Sequence, residues 1–117
     1  MTELVALLSV GKGSWAEVGR LIKSQTWEKI FLIGDSFASK FNVPENAELI
    51  LVDFNLPLVQ LRDDMGAKLL DKIKGLEVAV NIISGEGKSH MALLGALIKS
   101  GVGFRIVAAG DSGVEEI

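Results

Sequence analysis

Residues 78–88, VAVNIISGEGK, join an apolar run to a glycine-bracketed turn that ends on Lys88. A helix-forming stretch, SHMALLGALIKSG, follows at once. A strand that passes through such a turn into a helix presents backbone N–H groups and the positive end of a helix dipole. A lysine in the first turn opposes that dipole at a cost of roughly 0.3–1 kcal/mol unless an anion lies nearby. We therefore predict a phosphate site that uses Ser84, Gly85, Gly87 and Lys88.

The alternative for the same residues is a purely structural one: a tight strand-to-helix turn with a solvated lysine, because glycine readily adopts positive φ. Two other loops favour the functional interpretation. The loop at residues 9–14, SVGKGS, and the loop at residues 34–36, GDS, also combine glycine with hydroxyl or charged residues. In open α/β sheets, ligands bind outside the carboxyl ends of the strands, where all three loops are expected to lie. The ligand-binding residues predicted in the two further loops are Ser9, Gly11, Lys12, Gly13, Ser14 and Asp35.

Known phosphate-binding motifs match these loops only in part. The G-x-x-x-x-G-K-[ST] spacing is missing, so Walker-type nucleotide chemistry is not supported. The G-x-G-x-x-G pattern lacks its third glycine, since Ala16 occupies that place. Alanine is tolerated there, and Asp35 lies at a plausible distance for a ribose contact. An NAD(P)-type dinucleotide site therefore stays open as an alternative.

Catalytic residues are not assigned by the sequence, and the candidates are Lys88, His90 and Ser9. A lysine near a phosphate stabilises developing negative charge, whereas a serine or histidine orients reacting groups. A lone histidine early in a helix is also commonly a packing or capping residue. Asp53, at the end of a predicted strand, is equally suited to a ribose contact and to capping a turn.

The composition of the 117 residues narrows the class of protein. Hydrophobic residues make up 49% and charged residues 23%, which is typical of one globular domain. The net charge is −3 without a run of Lys or Arg, so no extended nucleic acid is expected as a partner. The chain has no cysteine and one histidine, which excludes disulfides, thiolate metal sites and a multi-histidine metal centre. We expect no metal and no cofactor.

The expected location is cytoplasmic. The first residues, MTELVALLSVGKG, lack the basic region and cleavage site of a signal peptide. No apolar run approaches the roughly 20 residues that cross a bilayer, so no membrane partner is expected.

Strand-like and helix-like segments alternate along the chain. Apolar runs predict strands over 4–10, 29–34, 48–54, 78–83 and 103–108, and apolar spacing predicts helices over 15–24, 58–74 and 90–100. Ser14 and Glu17 fit a capping box, Gly75 and Gly101 fit helix ends, and the acidic tail 111–117 is expected to fray. Such alternation predicts an α/β fold: one three-layer, Rossmann-like domain over residues 1–117, with a mainly parallel sheet of about five strands.

The segments LLSVGKGSW and VNIISGEGKSHMALLGALIKSG resemble the CARF domain, the CRISPR-associated Rossmann fold. That family often carries a strand, a G-G-T-K-like turn and a helix with M-x-x-A-L spacing. The residues that carry the resemblance are Ser84, Gly85, Glu86, Gly87, Lys88 and Met91. Glu86 departs from the glycine or threonine common near its place, and its charge weakens anion binding there.

The resemblance implies a homodimer that binds cyclic oligoadenylate across its two-fold axis. The phosphates would then contact Ser9, Gly11, Lys12 and Gly13 together with Gly85, Gly87 and Lys88. The leading hypothesis is thus a nucleotide-binding module that senses or sequesters cyclic oligoadenylate in CRISPR-linked antiviral signalling. The alternatives are a metal-independent ring nuclease that cleaves this ligand, a small α/β oligomerisation domain without a ligand, and the dinucleotide binder.

Overall fold

The computed structural model of the protein describes residues 2–9 and 12–117, with the backbone alone at Lys12. The helices are α1 (Lys12–Ser24), α2 (Leu58–Leu69) and α3 (Gly87–Lys99), with a short 3₁₀ helix at Ser36–Lys40. The strands are β1 (Glu3–Leu8), β2 (Lys29–Gly34), β3 (Ala47–Leu51), β4 (Glu77–Asn81), β5 (Gly103–Gly110) and β6 (Gly113–Glu116). Within this part of the chain, no helix is long and apolar enough to cross a membrane.

The strands form one sheet in the order β3-β2-β1-β4-β5-β6. Strands β1 to β5 run parallel to one another, and β6 pairs antiparallel with β5. The chain starts in the middle of the sheet, builds outwards to β3, and then returns to place β4 on the other side of β1. The α/β class with a mostly parallel sheet is confirmed. About five strands were expected, and the sheet in the described residues has six.

The continuous apolar strands are explained by burial on both sides of the sheet. Val5 and Leu7 of β1 belong to a hydrophobic cluster that also contains residues of α2 and α3. The alternate residues Leu4, Ala6 and Leu8 belong to a second cluster, to which α1 contributes. Because successive side chains of a strand point to opposite faces, both faces of β1 need apolar residues.

The predicted frayed tail is wrong. Residues 113–116 form β6, a hairpin partner of β5 in which Val114 lies opposite Ala109. Arg105 of β5 forms ion pairs with Glu77 on one side and Glu116 on the other. These two carboxylates raise the pKa of Arg105, chiefly through their hydrogen bonds. Glu116, one of the acidic residues on which the prediction of a frayed tail depended, therefore helps to hold this segment against β5.

Several predicted element ends also move. Helix α2 stops at Leu69 rather than at 74, so Gly75 is not its terminal glycine. Helix α1 begins at Lys12, which places Ser14 inside the first turn instead of before it. Strand β3 ends at Leu51, and Asp53 lies in the following loop. By contrast, Gly101 follows α3 with a φ of 77°, as predicted for a helix-ending glycine.

Candidate functional site

The candidate site lies where β1 and β4 end side by side, at the carboxyl edge of the sheet. Strand β1 leads to Ser9, and β4 leads through residues 82–86 into α3. The amide of Ser9 donates a hydrogen bond of 2.8 Å to the Oγ of Ser84. The strand order reverses between β1 and β4, and such a reversal is where open α/β sheets bind ligands. Two of the three predicted loops are thus joined directly.

The backbone of Ser9 is held from two sides. Its carbonyl accepts a hydrogen bond of 2.6 Å from the indole Nε1 of Trp15 in α1. The Trp15 ring in turn lies edge-on to Phe41, with 6.0 Å between the ring centroids. Ser9 is only 8% exposed. With its N–H and its carbonyl both bonded to the protein, Ser9 has its hydroxyl as the remaining group for a ligand.

The loop after β4 is shaped by buried polar side chains. Asn81 donates from Nδ2 to the carbonyl of Val107 in β5, at 2.8 Å, and its Oδ1 accepts from the amide of Ile83. The backbone pairing of β4 with β5 ends at Val80, and the Asn81 side chain makes the next hydrogen bond to β5 in place of the backbone. The chain turns away from the sheet at this point. Sequence reasoning missed Asn81, although a polar residue that closes an apolar strand was a visible signal.

Glycine is required at residue 85 for two reasons. Its φ of 96° lies in the region that other residues rarely adopt, and an added Cβ would lie 2.6 Å from the Oγ of Ser89. That buried hydroxyl accepts from the amide of Glu86 and donates to its carbonyl. Gly87 differs, because a Cβ there meets nothing within 4 Å. The predicted glycine turn is therefore correct at residue 85, whereas no crowding requires glycine at residue 87.

His90 contacts the same loop through its ring. Its Nε2 lies 3.0 Å from the carbonyl oxygen of Ser84. Since a carbonyl oxygen only accepts, Nε2 is the donor in this contact. Ser84 is itself only 1% exposed, and its hydroxyl accepts from the Ser9 amide. We therefore interpret Ser84 as a joint between two loops rather than as a direct ligand contact.

Lys88 reaches a part of the chain that the sequence did not associate with it. Its Nζ donates to the carbonyl oxygen of Phe54, at 3.0 Å, in the connection between β3 and α2. The carbonyl of Phe54 is a backbone group 34 residues away, so no pattern of residue types predicts this contact. An ammonium group has three N–H donors. The bond to Phe54 therefore leaves two of them for an anion.

The other predicted residues are less closely associated with this network. Asp35 follows β2 and caps the 3₁₀ helix, with its Oδ1 accepting from the amide of Phe37 at 3.0 Å. Gly13 and Ser14 lie in the first turn of α1. Gly11 lies outside the described residues, as does the Lys12 side chain, so their predicted phosphate contacts stay predictions. Asp53 accepts from the amide of Asn55, which matches its turn-capping interpretation.

Among the described residues, no group of three or more His, Asp or Glu side chains is placed to hold a metal ion. Comparison with known proteins adds no assignment: no family model matches the chain, and no curated protein sequence matches it at a significant level. The relation to CARF domains therefore stays a resemblance of short motifs. What the site does is argued below from its own geometry.

Proposed function

We propose that the protein is a three-layer, Rossmann-like nucleotide-binding module that holds the phosphates of a cyclic oligoadenylate at the junction of β1 and β4. The observation that carries the proposal is the hydrogen bond from the Ser9 amide to the Ser84 hydroxyl. It joins two glycine-containing loops at the reversal of the strand order, where nucleotides bind in related folds. The proposed module acts as a homodimeric cytoplasmic sensor or sequestering protein in CRISPR-linked antiviral defence.

In this proposal the phosphate binds to groups that the protein does not already use. Lys88 has two ammonium hydrogens beyond the one bound to Phe54, and Ser9 has its hydroxyl. The amides of Gly87 and Lys88 open α3 and favour negative charge. The exposed Glu86, at the N-cap of the same helix, opposes an anion. We therefore expect binding through a few charge-assisted contacts rather than through a fully enclosed cradle.

Titration calorimetry with cyclic tetra-adenylate and cyclic hexa-adenylate tests the proposal directly. We expect heat of binding with at least one ring size, and about tenfold weaker binding by Lys88→Ala, a loss of about 1.4 kcal/mol. Lys74→Ala is the matched control, because it removes the same charge from the end of the sheet where β1 begins. The same samples kept in EDTA and analysed for linear products test the ring-nuclease alternative.

Two results would contradict the proposal. The first is the absence of heat with either ring at protein concentrations well above micromolar. The second is an equal loss of affinity in Lys88→Ala and Lys74→Ala, which would mean that overall charge and not the site attracts the ligand. Stabilisation by adenine dinucleotides in a thermal shift assay, without binding of the rings, would favour the dinucleotide alternative instead.

A further inference from the structure

Strand β3 forms one edge of the sheet, with β2 as its only neighbour in the described strand order. The amide of Ile30 donates to the carbonyl of Asn46, and the amide of Val52 donates to the carbonyl of Gly34. The backbone groups of alternate residues in a strand point to opposite sides, so those of residues 46, 48, 50 and 52 point towards β2. The backbone groups of Ala47, Leu49 and Leu51 therefore point outwards. Outward groups of this kind are a template for pairing with another chain.

The sequence of β3 is well suited to pairing with itself. A two-fold axis at Leu49 would place Leu49 opposite its own copy and Ala47 opposite Leu51. Glu48 would then lie opposite Ile50, so no like charges would face each other. Leu51 is 51% exposed and adds apolar area to such a contact. Nothing in the side chains of this short strand opposes a continuous sheet through two copies.

The backbone of β3, however, is already occupied at both ends. In the self-paired ladder, residues 47 and 51 would exchange two hydrogen bonds, one of them from the Ala47 amide to the Leu51 carbonyl of the other copy. The Ala47 amide instead donates to the carbonyl of Pro44, at 3.1 Å. The Leu51 carbonyl instead accepts from the Nζ of Lys68, at 2.8 Å. Both the donor and the acceptor of that bond therefore have partners within the chain.

Lys68 is held in this position by its own helix. Its ammonium also lies 3.0 Å from the carboxylate of Asp64, one turn earlier in α2. Lys72, one turn later, reaches the same strand but pairs with the side chain of Glu48. Lys68 in α2 and Lys72 in the turn after α2 thus both contact β3, and of these two contacts only that of Lys68 uses an outward backbone group. This difference gives an internal control.

We propose that Lys68, through its bond to the Leu51 carbonyl, caps the edge strand β3 and prevents it from pairing with a second copy of the chain. The cap acts at a defined hydrogen bond and not only through charge. It is independent of the proposed nucleotide site, which lies where β1 and β4 end. Removing Lys68 exposes the Leu51 carbonyl to a partner strand and leaves the apolar side chains of β3 free to align.

The test compares full-length wild-type protein with Lys68→Met by sedimentation velocity over a range of concentrations, and by hydrogen exchange of the β3 amides. We expect a sedimentation coefficient that rises with concentration relative to wild type, and about tenfold slower exchange at the Leu49 and Leu51 amides. Lys72→Met removes the same charge and should behave as wild type. Lys68→Arg, which retains a donor for Leu51, should also behave as wild type.

Three results would overturn the proposal. Unchanged sedimentation and exchange in Lys68→Met would show that the bond to Leu51 does not limit pairing. Equal association of Lys68→Met and Lys72→Met would show that general charge is responsible. If Lys68→Met does not fold, Lys68→Gln is measured in its place, and loss of folding in both would show that Lys68 is needed for the fold itself.

Discussion

At each end of β1, a buried polar side chain accepts hydrogen bonds from backbone N–H groups that are distant from it in the sequence. At the amino end, Glu3 is 3% exposed, and its carboxylate accepts from the amides of Lys74 and Gly75, the latter at 2.7 Å. At the carboxyl end, Ser84 accepts from Ser9 with a neutral hydroxyl. The acceptors in these two contacts therefore differ in charge: a buried carboxylate at the amino end and a neutral hydroxyl at the carboxyl end.

This difference separates a structural N–H cluster from a candidate ligand site. Two adjacent amides that point at one place favour an anion wherever they occur. At the amino end Glu3 satisfies them permanently, so they indicate nothing about a ligand. At the carboxyl end the Ser9 amide has a neutral hydroxyl as its acceptor, and Lys88 retains two donors. The carboxylate of the exposed Glu86 accepts from the Ser89 amide in the capping box of α3. The proposed phosphate would take the role that Glu3 plays at the opposite end.

The largest effect is expected when the anion at the amino end is removed. Glu3→Ala leaves two backbone N–H groups without their charged acceptor, so we expect a loss of about 2–4 kcal/mol in the free energy of unfolding. Urea denaturation measures this loss. Glu3→Gln keeps an oxygen acceptor and should lose less than the alanine variant. Equal losses in both variants would mean that the carboxylate charge, and not the acceptor geometry, stabilises this end.

A smaller loss is expected from the glycine turn at the carboxyl end. Gly85→Ala places a Cβ at positive φ and against the Ser89 hydroxyl, which should cost about 1–3 kcal/mol of unfolding free energy. Gly87→Ala is the matched change two residues later, where nothing crowds the new methyl group. It should be neutral or stabilise the protein by about 0.4–1 kcal/mol. Similar thermal melting of the two variants would contradict the requirement for glycine at residue 85.

The smallest loss of unfolding free energy is expected when the hydrogen bond between the Ser9 amide and the Ser84 hydroxyl is removed. Ser84→Ala leaves the buried Ser9 amide without its acceptor, and we expect a loss of about 1–2 kcal/mol. Faster hydrogen exchange of the Ser9 amide should accompany this loss, which links it to the joint between the loops. A Ser84→Ala variant as unstable as Glu3→Ala would remove the contrast in charge between the two ends.

Local patterns predicted the regular elements better than the contacts between them. Strand β2 was predicted from Lys29 to Gly34, as found, because a buried parallel strand reads as a continuous apolar run. The end of α2 was missed, because the apolar spacing continues to Ile73 after the helix has stopped at Leu69. β6 was missed for a related reason, since an acidic segment forms a strand here only through its pairing with β5.

The candidate site shows the same limit. The turn at Gly85 was predictable because one residue type permits its φ. The predicted loop at residues 9–14 is wrong at Gly13 and Ser14, which lie in the first turn of α1. The partners of Ser84 and Lys88 were not, because both are backbone atoms. Every residue carries the same backbone N–H and carbonyl, so residue types do not reveal which of them a side chain will meet.

The sequence by itself determined the alternation of strands and helices, the glycine turn before α3 and the residue types available for binding a phosphate. These depend on local conformational preferences and on apolar periodicity, which act over a few residues. Only the tertiary structure decided that Ser84 meets Ser9, that Lys88 meets Phe54, and that Glu3 fills the amide pair at Lys74 and Gly75. Those pairings depend on the strand order, which the burial of two apolar faces establishes for the chain as a whole.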